Sequence, residues 1–171
     1  FMEKCREKDV EVLYLTDPID EYAIQNLTEF DGKKLQSITK EGLKFGDDDE
    51  ADKKREKIYK ENFKPLTDWM KDLYNDKVDK ITISPRLASS PAILVTGQYS
   101  YSANMERIMK SQAFADTKRS AFLMSKKTME INPRHPIVVK LNEIAGEDDK
   151  DDNEEAKNLA WLLYETAALN S

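Results

Sequence analysis

Among its 171 residues the chain has one cysteine, Cys5, and one histidine, His135. A lone cysteine excludes an internal disulfide framework and a cysteine-rich zinc site, and leaves the compartment open. Cys5 and His135 lie far apart in sequence, a poor start for a nucleophile and its base. His135 stands between Arg134 and Pro136 at a helix start, where a capping or packing role suits it better than proton transfer. Five glycines leave little room for a phosphate-cradling loop, and neither a P-loop nor a dinucleotide fingerprint occurs. The acidic clusters lack the glycine and the alternating spacing of a calcium loop. No apolar run approaches the roughly 18 residues of a membrane span. The formal charge of -6 argues against a general nucleic-acid binder, which needs an excess of Lys and Arg. Together these absences predict no catalytic residues, no metal, no cofactor, no nucleic acid and no membrane insertion. There is no signal peptide, and a start at Phe1 with an end in an apolar helix is what an excised piece would show.

Hydrophobic residues make up 39% of the chain and charged residues 35%, enough for one ample core or two small ones. Val10 to Leu15 (VEVLYL) is a nearly continuous apolar run, as in a strand covered on both faces. Asp17 and Pro18 then open a helix whose stripe is Ile19, Tyr22, Ala23, Leu27 and Phe30, with Gly32 as its stop. Lys34 to Thr39 is a second strand candidate. The charge run Gly46 to Glu56 reads as a linker, and places a boundary between residues 1–48 and 49–171.

Beyond it, Ile58, Tyr59, Phe63, Leu66, Met70 and Leu73 recur at helical spacing, with Pro65 predicting a kink or a restart. Val78–Ser84 and Ala92–Tyr99 are rich in β-branched residues, and the segment between them suggests a hairpin with a long loop. Ser84-Pro85 and Ser90-Pro91 read as turns rather than modification sites. Thr128 to Ile131 is a short strand candidate, followed by a turn and a helix carrying Ile137, Leu141 and Ile144. Glu147 to Glu155, seven acids against one lysine, forms a second acidic linker. The helix after it is apolar almost all round from Leu159 to Leu169, so it must be buried on several sides, in its own core or against another subunit. The fold class is α+β: a small α/β unit, then a mixed α/β domain with a hairpin or sheet packed by helices.

The centre of this arrangement is Gln98 to Ala115. Met105, Ile108, Met109, Gln112 and Ala113 line one face of a helix, which Ser102 or Asn104 can cap. Tyr99 and Tyr101 precede it. Such a face is either core or, because methionine is flexible and polarisable, a surface adapted to varied apolar partners. Phe122, Leu123 and Met124 follow between basic pairs. From Asn104 to Lys127 six basic residues face two acidic ones, a local attraction for acidic partners.

Several strings resemble the heat-shock protein 90 family, in the family's order. DPIDEYAIQNLTEFDGK and TKEGLKF are similar to the end of its middle domain. ISPRLASSPAILVT, SANMERIMKSQA, KKTMEINPRHPI and LLYETAAL are similar to its C-terminal dimerisation domain. FKPLTDWMKD and NPRHP resemble endoplasmin, the endoplasmic-reticulum form, with the cytoplasm as the alternative location. The resemblance implies an ATP-driven stress-response chaperone, a homodimer that binds unfolded proteins and works with co-chaperones. It implies ATP and Mg bound in an N-terminal domain elsewhere, with no cofactor and no enzyme activity here. Client contacts would fall on Tyr101, Met105 and Met109, with Phe122, Leu123 and Met124 adjoining. The family usually has Trp where this chain has Tyr101, which reduces the apolar area offered. The dimer interface, a four-helix bundle, would use Leu159, Leu162, Leu163, Thr166 and Ala167, with its second helix beyond Ser171. The alternative is a purely structural dimerisation module with the Met-bearing helix buried as core.

Overall fold

The computed structural model describes residues 1–45, 50–112, 126–147 and 151–170, and the fold is α+β. A short helix α1 (Glu3–Glu7) is followed by extended chain, then α2 (Pro18–Asn26) and a small ladder of β1 (Glu29–Phe30) and β2 (Lys33–Lys34). The rest runs α3 (Glu50–Asn62), α4 (Lys64–Tyr74), β3 (Val78–Ile83), β4 (Ala92–Val95), α5 (Ala103–Gln112), β5 (Lys127–Ile131), α6 (Pro136–Ala145) and α7 (Glu154–Leu169). Pro65 does restart the helix: α3 ends at Asn62, and Pro65 falls in the first turn of α4, where a missing N–H is tolerated.

The N-terminal part departs from the sequence reading. Val10 to Leu15 is not a strand: among the described residues no strand pairs with it, and the Val10 N–H instead donates back to the Cys5 carbonyl at 2.9 Å. Leu13 is 63% exposed. The helix also stops early, at Asn26. Asp31 and Gly32 have φ of 49° and 72°, the two left-handed residues that a tight turn between paired Phe30 and Lys33 requires. Gly32 therefore makes a hairpin turn, not a helix end. Of the strand expected at Lys34–Thr39 only Lys34 pairs in the ladder, while Lys40 bridges Thr96 in parallel.

The expected hairpin of β3 and β4 is absent too. The sheet order is β3-β5-β4, with β3 parallel to β5 and β4 antiparallel to it. The last strand in sequence inserts between the other two, pairing Ile83 with Ile131 and Leu94 with Met129. β5 turns Met129 and Ile131 to one face of the sheet and Thr128 and Glu130 to the other, while its two edges pair with β3 and β4.

Alternation along the strands gives the sheet two different faces. On one, Val78, Ile83, Ala92, Leu94, Met129 and Ile131 meet Leu66, Trp69, Met70 and Tyr74 of α4, Val138, Leu141 and Ala145 of α6, and Ala156, Ala160, Leu163 and Ala167 of α7. Burying each large aliphatic side chain here is worth about 1.5–3 kcal/mol. The three buried alanines of α7, Ala156, Ala160 and Ala167, let that helix approach closely, and the Tyr74 hydroxyl donates to the Ala160 carbonyl at 2.5 Å. His135 caps α6, its Nδ1 accepting from the Ile137 N–H.

The other face carries an ion pair under the N-terminal segment. Arg86 is fully buried and grips Glu130 of β5, Nε to Oε2 at 2.8 Å and Nη2 to Oε1 at 2.7 Å. Its remaining N–H groups donate to the carbonyls of Ile38 and Lys40. Ser84 donates to the same carboxylate at 2.9 Å. One guanidinium thus ties residues 38–40 to the sheet, and its fixed fork suits that task better than a lysine would.

Candidate functional site

The Met-bearing helix is built as its sequence suggests. Ser102 is the capping residue, its Oγ accepting from the Met105 N–H at 3.0 Å. That hydroxyl in turn donates to Glu21 Oε2 at 2.7 Å, and Asn104 Nδ2 donates to Glu21 Oε1 at 2.9 Å. A carboxylate from α2 therefore closes the start of α5, where the helix dipole favours negative charge. Of the described helices and strands, α2 is the one packed most closely on α5.

The predicted contact residues separate here. Tyr101 is exposed and Tyr99, which the contact set omits, is 97% exposed. Ile108 and Met109 are half-buried. Met105 is only 4% exposed, so as described here it cannot meet a partner directly. Phe122, Leu123 and Met124 lie outside the described residues. Of the local basic excess, Arg107 is exposed, whereas Lys126 pairs with Asp76 at 2.9 Å on the surface, an interaction worth little.

On α7 the five residues assigned to a dimer interface also divide. Leu163 and Ala167 are buried in the chain's own core and Leu159 is half-buried against it. Leu162 is 59% exposed, Thr166 is exposed and Leu169 is 87% exposed. Leu162, Thr166 and Leu169 lie at i, i+4 and i+7, one outward stripe. The helix is two-sided: Ala156, Ala160, Leu163 and Ala167 hold the core, while Leu162 and Leu169 look out.

Three further places carry charge. Glu3 accepts from the backbone N–H groups of Ala88, Ser89 and Ser90 at 2.6, 2.8 and 3.2 Å, and from the Ser90 hydroxyl. Burial works to raise this carboxyl, but those hydrogen bonds, led by the Ser90 hydroxyl, pull it down to about 2. Ser90 thus serves a turn and an anchor. Glu41 is held below its ordinary value chiefly by Lys80, at 2.7 Å, with help from the Gln98 N–H and Thr128. A cleft of about 750 Å³ lies nearby, lined by Lys44, Phe45, Tyr59, Arg134 and others. Most of its cations are committed: Lys80 to Glu41, Arg55 to Asp52, Lys60 to Glu56. Among the described residues no three His, Cys, Asp or Glu side chains gather as a metal site. No helix among them is long and apolar enough to cross a membrane.

The sequence carries a signal for the Arg86–Glu130 pair. Glu130 is the one charge inside the apolar string TMEI, and an acid in the middle of a buried strand demands a cation.

A sheet covered by helices on one side, with an amphipathic Met-bearing helix and a two-sided terminal helix, agrees with the family named by the motifs. A family model described as Hsp90 protein matches residues 1–171. The chain belongs to the Hsp90 family. It is 50% identical over 171 residues to a putative heat shock protein HSP 90-beta-3 of Homo sapiens, covering 100% of this chain and 28% of that protein. It is 48% identical over 171 residues to heat shock protein 90-5, chloroplastic, of Arabidopsis thaliana, covering 100% of this chain and 21% of that protein. The chain thus spans about a quarter of the length of these curated relatives.

Proposed function

We propose that this chain is the client-holding and dimer-forming part of an ATP-driven chaperone. Residues 1–48 would close its middle domain and residues 49–171 would form most of its dimerisation domain. ATP, with Mg, would be bound and hydrolysed elsewhere in the full protein, and these residues would carry no catalysis of their own. The observation that carries the reading is the exposed pair Tyr99 and Tyr101 just before α5, together with half-buried Ile108 and Met109 along that helix. Such a surface offers adaptable apolar contact to partly folded chains, and Arg107 raises encounter with acidic ones. The outward stripe Leu162, Thr166 and Leu169 supports association of two copies through α7, with co-chaperones as further partners. The strings FKPLTDWMKD and NPRHP support an endoplasmin-like member resident in the endoplasmic reticulum. Cell fractionation that finds the protein in the cytoplasm or a plastid would remove that assignment.

The burial of Met105 favours the second reading at that one position, where the side chain acts as core in a structural module. A permanently unfolded protein such as carboxymethylated α-lactalbumin separates the two. Under the client reading Tyr101→Ala and Met109→Ala each weaken its binding about three- to tenfold, the size of a modest interface hot spot. Unchanged binding in both leaves only the structural module. Sedimentation equilibrium of Leu162→Asp reads the α7 stripe: a dimer that persists in the variant excludes it as the interface.

A further inference from the structure

The two exposed tyrosines stand on a turn whose base is held by residues far away in sequence. Tyr99 and Tyr101 flank Ser100, whose N–H donates to the Gly97 carbonyl at 3.1 Å and closes the turn. On one side of Gly97, the Thr96 N–H donates to the Thr39 carbonyl at 3.1 Å, and the Thr96 carbonyl accepts from the Glu41 N–H at 2.9 Å. On the other side, the Gln98 N–H donates to Glu41 Oε1 at 3.4 Å, and the Gln98 carbonyl accepts from Lys40 Nζ at 3.3 Å. Residues 39–41 thus take both backbone groups of both residues. They are themselves fixed. Arg86 donates to the carbonyls of Ile38 and Lys40, which ties them to its buried pair with Glu130. Glu41 Oε2 accepts from Lys80 Nζ of β3 at 2.7 Å and from the Thr128 hydroxyl of β5 at 3.1 Å. One carboxylate therefore reaches two strands of the sheet and the residue just before Tyr99.

We propose that Glu41 is a positioning residue for client binding, setting the pose of the tyrosine turn through the Gln98 N–H. The proposal rests on the client-surface reading and adds what organises that surface. Tyr99 is 97% exposed, so its own side chain does little to hold the turn. A turn held at its base loses less conformational freedom when a partner binds, and that pre-organisation appears as affinity. Without the Glu41 carboxylate the tyrosines remain, but each client must order the turn for itself. Residues 38–41 belong to the segment before the charge run Gly46 to Glu56. A shift of that segment against the sheet therefore reaches the tyrosines directly, through the bonds at Thr96 and Gln98.

The test compares Glu41→Ala and the milder Glu41→Gln with the parent, each as the whole 171-residue chain. Amide NMR relaxation reads the backbone order parameters of Gln98 to Tyr101. In Glu41→Ala these are expected to fall from about 0.85, the value of rigid backbone, toward about 0.6. Ala92 to Val95 should stay rigid in both variants, as the check that the sheet is folded. Carboxymethylated α-lactalbumin should bind Glu41→Ala about three- to tenfold more weakly than the parent, the size of a modest hot spot, although Glu41 needs no contact with it. Glu41→Gln keeps an acceptor for the Gln98 N–H and loses the charge facing Lys80, so its affinity should fall between the two. A turn that stays rigid in Glu41→Ala overturns the proposal, and so does a loosened turn with unchanged affinity. Tyr101→Ala in the same binding assay tells the two kinds of failure apart. If it weakens binding, the positioning role alone has failed; if it does not, the client surface has failed with it.

Discussion

In α4, Leu66, Trp69, Met70 and Tyr74 recur at helical spacing and all are buried; between residues 10 and 30, Val10, Leu13, Tyr14, Leu15, Ile19, Tyr22, Leu27 and Phe30 are as apolar, and all are exposed. Hydrophobicity does not separate the two regions. Neighbours do. α4 lies on a sheet whose facing side chains alternate in phase with it, and α6 and α7 close the remaining sides. The early segment has no such surface among the described residues, so its apolar groups form no core. What holds it is polar: Glu3 on three amides, Arg86 on two carbonyls, Glu21 on the start of α5. One region is held by contact area, the other by a handful of directed bonds.

Arg86 belongs to both, so its loss should cost most. Arg86→Met leaves Glu130 buried and unpaired and frees the carbonyls of Ile38 and Lys40, at an expected cost of about 3–5 kcal/mol. Urea denaturation measures it, and the double variant Arg86→Met/Glu130→Leu should recover most of the loss. Leu66→Ala attacks the packed region alone, with an expected cost of about 3 kcal/mol from transfer and cavity. Its m-value should be unchanged, and hydrogen exchange at residues 10–30 should not respond. Glu3→Gln attacks only the polar attachment. With a folded value near 2 against the ordinary 4.5, Glu3 contributes its full stabilisation above pH 4.5. That contribution fades as pH falls from 4.5 toward 2. At this solvent-accessible site it is worth about 1 kcal/mol. Protection factors of the Ala88 to Ser90 amides, corrected for the intrinsic exchange rate at each pH, should therefore fall as pH drops across that window in the parent and stay constant in Glu3→Gln. Leu13→Ser should change stability by less than about 0.5 kcal/mol. A larger loss, read by the same urea titration, would mean that the exposed run packs after all and that the contrast between the regions is wrong.

The same contrast explains which elements were legible from the residues. The stripe of α4, the restart at Pro65 and the Ser102 cap depend on side chains near one another in sequence, and each was readable there. So was the existence of all three strands of the larger sheet. Their pairing was not, because β3 and β4 are as well suited to each other as to β5. Val10 to Leu15 was misread for the complementary reason: a strand is a relation between segments, and composition describes only one of them. At the candidate site, the Tyr101 and Met109 positions were readable as surface chemistry. The hold of Glu21 on Ser102 and Asn104 was not, since Glu21 lies far away in sequence and an acid in the first turn of α2 already has a local explanation.

The position of β5 in the sheet also sets an order of events during synthesis. Val78 pairs with Lys127 and Ala92 with Ile131, so both outer strands leave the ribosome before the strand that joins them exists. Until Ile131 emerges, β3 and β4 are two apolar ribbons with open edges, the kind of intermediate that sticks to its neighbours. Pairings this distant also slow folding. The chain therefore passes, during its own synthesis, through a state with the unpaired strand edges that the finished sheet conceals.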